Sequence, residues 1–470
     1  MDIYLTEQAH RRGLARAIYE QIREAIVEGR IRPGDRLPPS REMAKQLAVS
    51  RYTVTTAYGF LVAEGFLEGA SGAGTRVAAQ PESAVPGGRV RRGAMPRHRL
   101  AGLSPMVTEE TPSLHLGVGA PDTALFPLLD WRRQMARALR SLDAAGASYG
   151  DAAGDAVLRA EIATWIHRSR GVRATPEEVV ITAGAQQAFD LIIGALTQPG
   201  DIVAVEDPGY VPFRKLAEVR CARVAPIPVD DSGLVVEALP SRAKLVYVTP
   251  SHQFPLGPVL SLVRRRQLLD WARTTGSVII EDDYDSEFRF SDRPLEPLQR
   301  LDTGGRVIYV GSFSKTLAPS LRAGFLVAPR ELVSSLAGLR QLVDWHSPAL
   351  LQRTLAGFLS EGMMDRHLRR ARKEYRARHQ FIVDWFRGPG RRLGRLISVD
   401  AGLHVAVALQ PGLDEARLIE RARAAGLTLE GLSKYSIDTG RRGLALGYGG
   451  TNRQGLEKAF QLLSKLIPAR

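Results

Sequence analysis

From about residue 113 onward the chain keeps returning to one pattern. A short, almost unbroken apolar run is followed by a stretch with helical spacing. The runs are Glu178–Thr182, Asp201–Glu206, Lys244–Thr249, Ser277–Asp282, Arg306–Val310 and Ala323–Val327. A strand with one wet face alternates polar and apolar residues, whereas near-continuous apolar strands are buried on both faces. Separated by helices, they predict a mostly parallel α/β sheet covered on both sides. From about residue 350 the chain is richer in helix with a few strands, such as Gly402–Val407, which predicts a smaller α+β lobe.

The first 80 residues follow a different logic. Apolar residues at 14, 18, 22 and 25/26 predict an amphipathic helix over 14–28, ended by Gly29. Pro33-Gly34-Asp35 is a turn, and Ser40 is placed to cap a short helix from Arg41 to Leu47. After the turn Ala48-Val49-Ser50, Ser50 caps a second helix that runs to about Glu64. A strand from Gly65, a hairpin tip at Gly72 and Gly74, and a returning Thr75-Arg76-Val77 complete three helices and a wing. This is a helix-turn-helix whose second helix would enter the major groove by its N-terminus. The candidate DNA-binding residues are Arg51, Thr53 and Thr55 on that helix, Arg36, Ser40, Arg41 and Ser50 before it, and Gly72 in the wing. Val54, Ala57 and Leu61 fall on the core face.

Between these parts the composition changes. Prolines, glycines and arginines at 89, 91, 92, 97 and 99 make residues 81–112 a cationic, semi-extended linker. The formal net charge is +14, which favours polyanionic partners. Residues 1–80 nevertheless hold 11 Lys/Arg against 9 Asp/Glu. Most of the excess lies elsewhere, including Arg366 to Arg378, so charge alone does not locate a DNA site. One cysteine, Cys221, excludes an intramolecular disulfide framework and any multi-cysteine metal site, so no metal is expected. That suits a cytoplasmic setting. The first residues lack a basic region followed by an apolar core, and no apolar run approaches the ~20 residues of a membrane helix.

The segment from Gly311 to Phe325 carries the chemistry. It sets Lys315 directly after Ser312, Phe313 and Ser314, with Arg322 seven positions on. A lysine amine forms a Schiff base with an aldehyde, and hydroxyls with an arginine hold a phosphate. An aldehyde that carries a phosphate is pyridoxal 5′-phosphate (PLP). The other parts of such a site occur in order. Gly184-Ala185-Gln186 opens a helix whose free N–H groups could bind phosphate. Tyr210, in Asp207-Pro208-Gly209-Tyr210, could stack on the ring. Asp282 ends an apolar strand and could pair with the pyridine nitrogen. Tyr284 lies on the same side of an extended chain and could touch the phenolate oxygen. Ligands of open α/β sheets bind at the carboxyl ends of strands, where all of these residues fall.

These motifs carry a resemblance. Leu14 to Val77 resembles the winged helix-turn-helix of GntR-type bacterial regulators. From about Leu114 onward the chain resembles a fold-type I aminotransferase, through Gly117-Val118-Gly119-Ala120-Pro121-Asp122, Tyr149-Gly150-Asp151-Ala152-Ala153-Gly154, Thr249-Pro250-Ser251-His252-Gln253-Phe254-Pro255 and Glu281-Asp282-Asp283-Tyr284-Asp285. The whole chain is similar to the MocR/GabR-type regulators. The resemblance implies domains at 1–80 and 113–470 joined by the linker, and a domain-swapped head-to-tail homodimer in which Tyr149 reaches the phosphate of the partner's PLP. It also implies an operator in double-stranded DNA and a small-molecule effector.

Two positions depart from the aminotransferase pattern. An asparagine usually faces the ring oxygen; here Phe254-Pro255-Leu256-Gly257 holds that place, so Gln253 or His252 must substitute or the contact is lost. Aminotransferases also carry an arginine near the C-terminus that grips the substrate carboxylate, and Ala445 stands there, with Arg441 and Arg442 outside the strand. The expected function is a PLP-dependent regulator that senses an amine-type effector or PLP itself; PLP as the signal would make it a sensor of vitamin B6 supply. The alternatives are a working aminotransferase with an accessory DNA module, and a DNA-binding protein whose second domain only dimerises.

Overall fold

A computed structural model of the chain describes residues 13–70, 74–78, 114–142, 148–220, 222–290, 296–397 and 401–467. It divides into two compact units, Met1–Gly102 and Leu103–Arg470. The linker at 81–112, Gly72 at the wing tip and Cys221 lie outside the described residues.

In the first unit α1 (Leu14–Val27), α2 (Ser40–Gln46) and α3 (Arg51–Ala63) precede the antiparallel strands β1 (Leu67–Ala70) and β2 (Gly74–Val77). Ile18 and Ile22 of α1 meet Val54, Ala57 and Leu61 of α3 in one apolar core, all fully buried. The i, i+3, i+4, i+7 spacing of the sequence thus becomes a buried face. Ser50 caps α3, its hydroxyl accepting from the Thr53 N–H at 3.0 Å. Ser40 departs from expectation. It is the first helical residue of α2, with Pro39 at the cap position and no side-chain cap bond. Proline supplies the extended entry by its fixed φ, which leaves the serine hydroxyl free for other partners.

The second unit is built on an eight-stranded sheet. Its strands are β3 (Val179–Thr182), β4 (Ile202–Asp207), β5 (Arg223–Asp230), β6 (Gly233–Leu234), β7 (Ala243–Val248), β8 (Val278–Asp283), β9 (Val307–Ser312) and β10 (Gly324–Val327). They lie in the order β3-β10-β9-β8-β7-β4-β5-β6. The central run from β9 to β5 is parallel, while β10 runs against both neighbours and β6 against β5. The apolar runs named above each become one of these strands, within one or two residues. Two strands lie outside those runs: the short β6, and β5, whose Pro226 and Pro228 argue against a strand but which survives next to the sheet edge, where proline is tolerated. A second, four-stranded antiparallel sheet joins β11 (Gly394–Leu396), β12 (His404–Leu409), β14 (Leu444–Gly447) and β13 (Glu430–Gly431), in that order. It forms the smaller lobe.

Residues alternate across β8, and its carboxylates separate accordingly. Glu281 accepts from the Leu298 and Gln299 N–H groups at 2.9 Å each. Asp283 is buried against Arg170, which donates to it from Nε at 2.7 Å, and against the Tyr309 hydroxyl at 2.6 Å. Burial alone would raise the Asp283 pKa, yet the Arg170 charge holds it below the usual carboxylate range. This pair locks the end of β8 in place. Removing one member of a buried ion pair leaves the other uncompensated. Arg170→Ala should therefore cost about 3–5 kcal/mol of stability, read from the urea unfolding midpoint. A loss no larger than that of a surface arginine would show that the pair does not hold the strand.

Candidate functional site

Five chain segments converge at the carboxyl end of the large sheet. Gly184, with φ 82°, stands at the start of the helix Ala185–Leu196 after β3. Tyr210 precedes the helix Val211–Val219 after β4. Asp282 ends β8 with Tyr284 just beyond it, Ser312 ends β9 with Lys315 in the following turn, and Arg322 leads into β10. They enclose a cavity of about 300 Å³ whose lining includes Ala185, Gln186, Tyr210, Asp282, Tyr284, Ser312, Ser314, Lys315 and Arg322. That volume is at the small end of small-molecule sites. Gly184 adjoins the cavity without lining it. A Cβ there would come within 2.9 Å of the Arg322 guanidinium, so a side chain would displace that group.

The polar groups are arranged for a ligand. Tyr247 donates its hydroxyl to Asp282 Oδ2 at 2.6 Å, while Asp282 Oδ1 has no hydrogen-bond partner though fully buried. Burial pushes the Asp282 carboxyl up to about 7. Such an orphaned acceptor is costly unless a donor arrives. Lys315 is held against the Gly119 carbonyl. Burial lowers its pKa, opposed by the charges of Asp285 and Asp282. Arg322 lies in left-handed backbone, φ 46° and ψ 50°, a strained conformation for a residue with a Cβ. It donates to the Ala183 carbonyl at 2.9 Å. The helix Ala185–Leu196 has no side-chain cap at its N-terminus, and Gln186 Oε1 is buried without a partner. Ser312 Oγ accepts from the Ser314 N–H at 3.1 Å. Tyr210 stands edge-on to Phe254, ring centroids 5.7 Å apart, and burial pushes its hydroxyl up to about 12.

An amine, an unpartnered carboxylate, an open helix N-terminus, hydroxyls and a guanidinium in one cavity match the chemistry of PLP. The aldehyde, the pyridine nitrogen and the phosphate each find a complementary group.

Several residues singled out in the sequence stand apart from the cavity. Tyr149 does not line the cavity. It is 74% exposed and stacks on Trp345 with ring centroids 4.5 Å apart. Gln253 does not replace the absent asparagine, because its amide is spent on Glu206, the Pro208 and Phe254 carbonyls and the Leu256 N–H. His252 is engaged with Asp285 and Tyr284. The Phe254 ring faces the cavity instead. Ala445 is fully buried among Leu256, Ala406, Leu432 and Tyr435. Arg441 donates to the Val229 carbonyl and exposed Arg442 lies 3.9 Å from Asp414, both outside β14. Among the described residues, Lys315 and Arg322 are the only lysine and arginine that line the cavity. Sequence reasoning missed Tyr247, Asp285 and His404. Tyr247 and His404 sit inside apolar strands and read as core residues, and Asp285 follows three charged or aromatic neighbours with no signal of its own.

In the first unit Arg36, Arg41 and Arg51 are exposed, as are Ser50 and Thr55, with Thr53 half-buried. Arg51 reaches Ser40 Oγ from Nε at 3.4 Å, which brings the N-termini of α2 and α3 together. The Thr55 hydroxyl donates to the Arg51 carbonyl.

Comparison with known proteins agrees with both kinds of domain. Residues 14–77 match the bacterial regulatory proteins of the gntR family, and residues 111–402 match aminotransferase class I and II. The chain is 37% identical to the probable rhizopine catabolism regulatory protein MocR of Rhizobium meliloti, over 94% of this chain and 92% of that protein. The chain belongs to the MocR-type transcriptional regulators of the GntR family. It is 34% identical to the pyridoxine biosynthesis regulator PdxR of Corynebacterium glutamicum, over 95% of this chain and 94% of that one. Among solved structures, the α-aminoadipate aminotransferase LysN of Thermus thermophilus, complexed with N-(5′-phosphopyridoxyl)-L-leucine, superposes with a TM-score of 0.69 at 31% identity. That likeness covers 75% of this chain and 92% of LysN. A MocR-type regulator thus joins a DNA-binding domain to an aminotransferase fold, and that fold implies PLP. No helix among the described residues is long and apolar enough to cross a membrane.

Asp282 gives a pH signature. Its folded pKa lies above that of a free carboxyl, so its contribution to stability is full at low pH and is lost as pH rises through about 7. Asp282→Asn removes that titration. The ligand-free variant should gain on the ligand-free wild type between about pH 4 and pH 7, by up to roughly 4 kcal/mol, and hold that gap above pH 7. Urea midpoints across that range would show it; a gap independent of pH would contradict the assignment.

Proposed function

We propose that this regulator carries PLP in the large-sheet cavity and senses a small amine, or PLP itself, there. The observation that carries the reading is the buried, unpartnered Asp282 Oδ1 in the same cavity as Lys315 and Arg322. Bound there, PLP would supply an aldehyde that captures primary amines and a ring that draws electrons. Lys315 would hold the aldehyde carbon, its amine kept reactive by desolvation. Asp282 would take the pyridine nitrogen and Tyr284 the ring oxygen, with Tyr210 against the ring. The N–H groups at Gly184, Ala185 and Gln186, with Ser312, Ser314 and Arg322, would bind the phosphate.

The exposed Tyr149 suits a role across a homodimer, reaching the partner's phosphate in a head-to-tail arrangement. We assign 1–80 to operator binding, 81–112 to the linker and 113–470 to sensing, in a cytoplasmic protein. On DNA, Arg51, Thr53 and Thr55 would read base edges while Arg36, Ser40, Arg41, Ser50 and the wing at Gly72 hold the backbone. Among the described residues, the cavity has no cation besides Lys315 and Arg322 for a substrate carboxylate. The reading therefore assigns it to sensing, with a single transaminase half-reaction the most that Lys315 would support.

Two measurements test this. Wild-type protein should hold PLP covalently, with a visible absorption band and a borohydride-trapped adduct on the Lys315 peptide. Lys315→Ala should lose both while keeping its fold. An adduct on another lysine would refute the assignment. Arg51→Ala should weaken operator binding by roughly 1–3 kcal/mol, with little change on random DNA. Equal loss on both would make Arg51 a backbone contact only.

A further inference from the structure

The two cations of the cavity are both committed if it holds PLP, Lys315 to the aldehyde and Arg322 to the phosphate. What remains for an effector includes the wall formed by Asp285, Leu403 and His404. That wall is built almost entirely of acceptors. Asp285 is 2% exposed, and its carboxylate takes His252 Nδ1 at 3.0 and 3.1 Å and the Leu403 N–H at 3.3 Å. Its charge favours the ammonium form of Lys315 more than that of Asp282 does. His404 is 2% exposed, with Nε2 3.1 Å from the Pro255 carbonyl. A carbonyl only accepts, so Nε2 carries the proton. Burial first, then the neighbouring His252, push the His404 pKa down to about 3, so the ring is neutral and Nδ1 is left as an acceptor. The nearest polar atoms of His252, Asp285 and His404 lie within 4.8 Å of one another, which makes the trio one continuous polar cluster.

Among the described residues, no arginine other than Arg322 lines the cavity beside this wall. Ala445 stands in the apolar packing behind it, and Arg214, Lys215, Arg441 and Arg442 do not line the cavity. A ligand carboxylate would be buried beside an existing carboxylate with no cation to offset it. A second ammonium or a hydroxyl would instead add a donor to Asp285, which already accepts from His252 and Leu403, and to the His404 Nδ1.

We propose that the effector is a primary amine carrying a second hydrogen-bond donor, an ammonium or a hydroxyl, and no carboxylate, and that Asp285 with His404 recognises this second group. The proposal rests on the PLP reading of the same cavity and narrows it to one chemical class.

The test uses full-length PLP-loaded protein and four ligands of matched length: putrescine, aminobutanol, butylamine and the four-carbon ω-amino acid. Binding is read by calorimetry, by the visible spectrum and by operator affinity. Putrescine and aminobutanol should bind at least tenfold more tightly than butylamine, and the amino acid more weakly than butylamine. That wild-type ranking needs no variant. Asp285→Asn should bring putrescine to the level of butylamine, read by calorimetry. An amino acid that outbinds butylamine would overturn the proposal, as would a putrescine preference that survives Asp285→Asn. So would a stoichiometric divalent metal retained on the His252, Asp285 and His404 cluster. If the protein showed no visible band yet ranked the ligands as stated by calorimetry, the acceptor wall would stand and only the cofactor reading would fall.

Discussion

A carboxylate without an ion pair sits buried at the end of β8, and much of the large domain is arranged around it. Asp282 keeps one oxygen on Tyr247 and leaves the other unsatisfied. On the opposite side of the strand, Asp283 is paired through Oδ2 with Arg170 and Tyr309. The two neighbours share burial and differ in completion. One is a structural lock and the other an open valence facing the cavity. A fold keeps such an unpaired group only where the surrounding packing holds it or a ligand completes it. The segments after β3, β4 and β9 bring a helix N-terminus, an aromatic ring and a lysine to that same point.

Much of this was legible in the residues. The strands were readable because parallel strands buried on both faces must be apolar throughout. The Lys315 segment, Asp282 and Gly184 were readable because their chemistry is incongruous at the ends of such strands. The helix-turn-helix was readable from its 3.6-residue spacing, although Ser40 turned out to open α2 rather than cap it, because Pro39 already fixes the entry. What stayed hidden was set by tertiary contact. Tyr247 is one more aromatic in an apolar strand until β8 lies beside it. His404 comes from the smaller lobe, over a hundred residues from Asp285, and only folding brings them together. The fate of Gln253 likewise depends on the carbonyls around it, which no local pattern records.

The departures from the aminotransferase pattern point in one direction. Ala445 removes the group that would grip a carboxylate, and Phe254 replaces a polar contact with an apolar face. The lysine, the unpartnered carboxylate and the open helix N-terminus that the proposal assigns to PLP are present in one cavity. A site that keeps its hold on a cofactor while losing its hold on a substrate acid is suited to report occupancy rather than to turn substrate over. Joined to a DNA-binding domain of the GntR family, such a site can act as a sensor if its ligand prefers one arrangement of the chain over another.

That coupling is the central claim, and linkage makes it testable in both directions. If ligand in the cavity changes operator affinity by some factor, operator must change ligand affinity by the same factor. The direct measurement is the closed cycle on full-length protein: the operator dissociation constant with and without saturating effector, and the effector dissociation constant with and without operator. The account predicts equal, non-unit ratios on the two sides, abolished together in Lys315→Ala. Ratios of one on both sides, with effector bound, would contradict it and leave the two domains as independent binding modules.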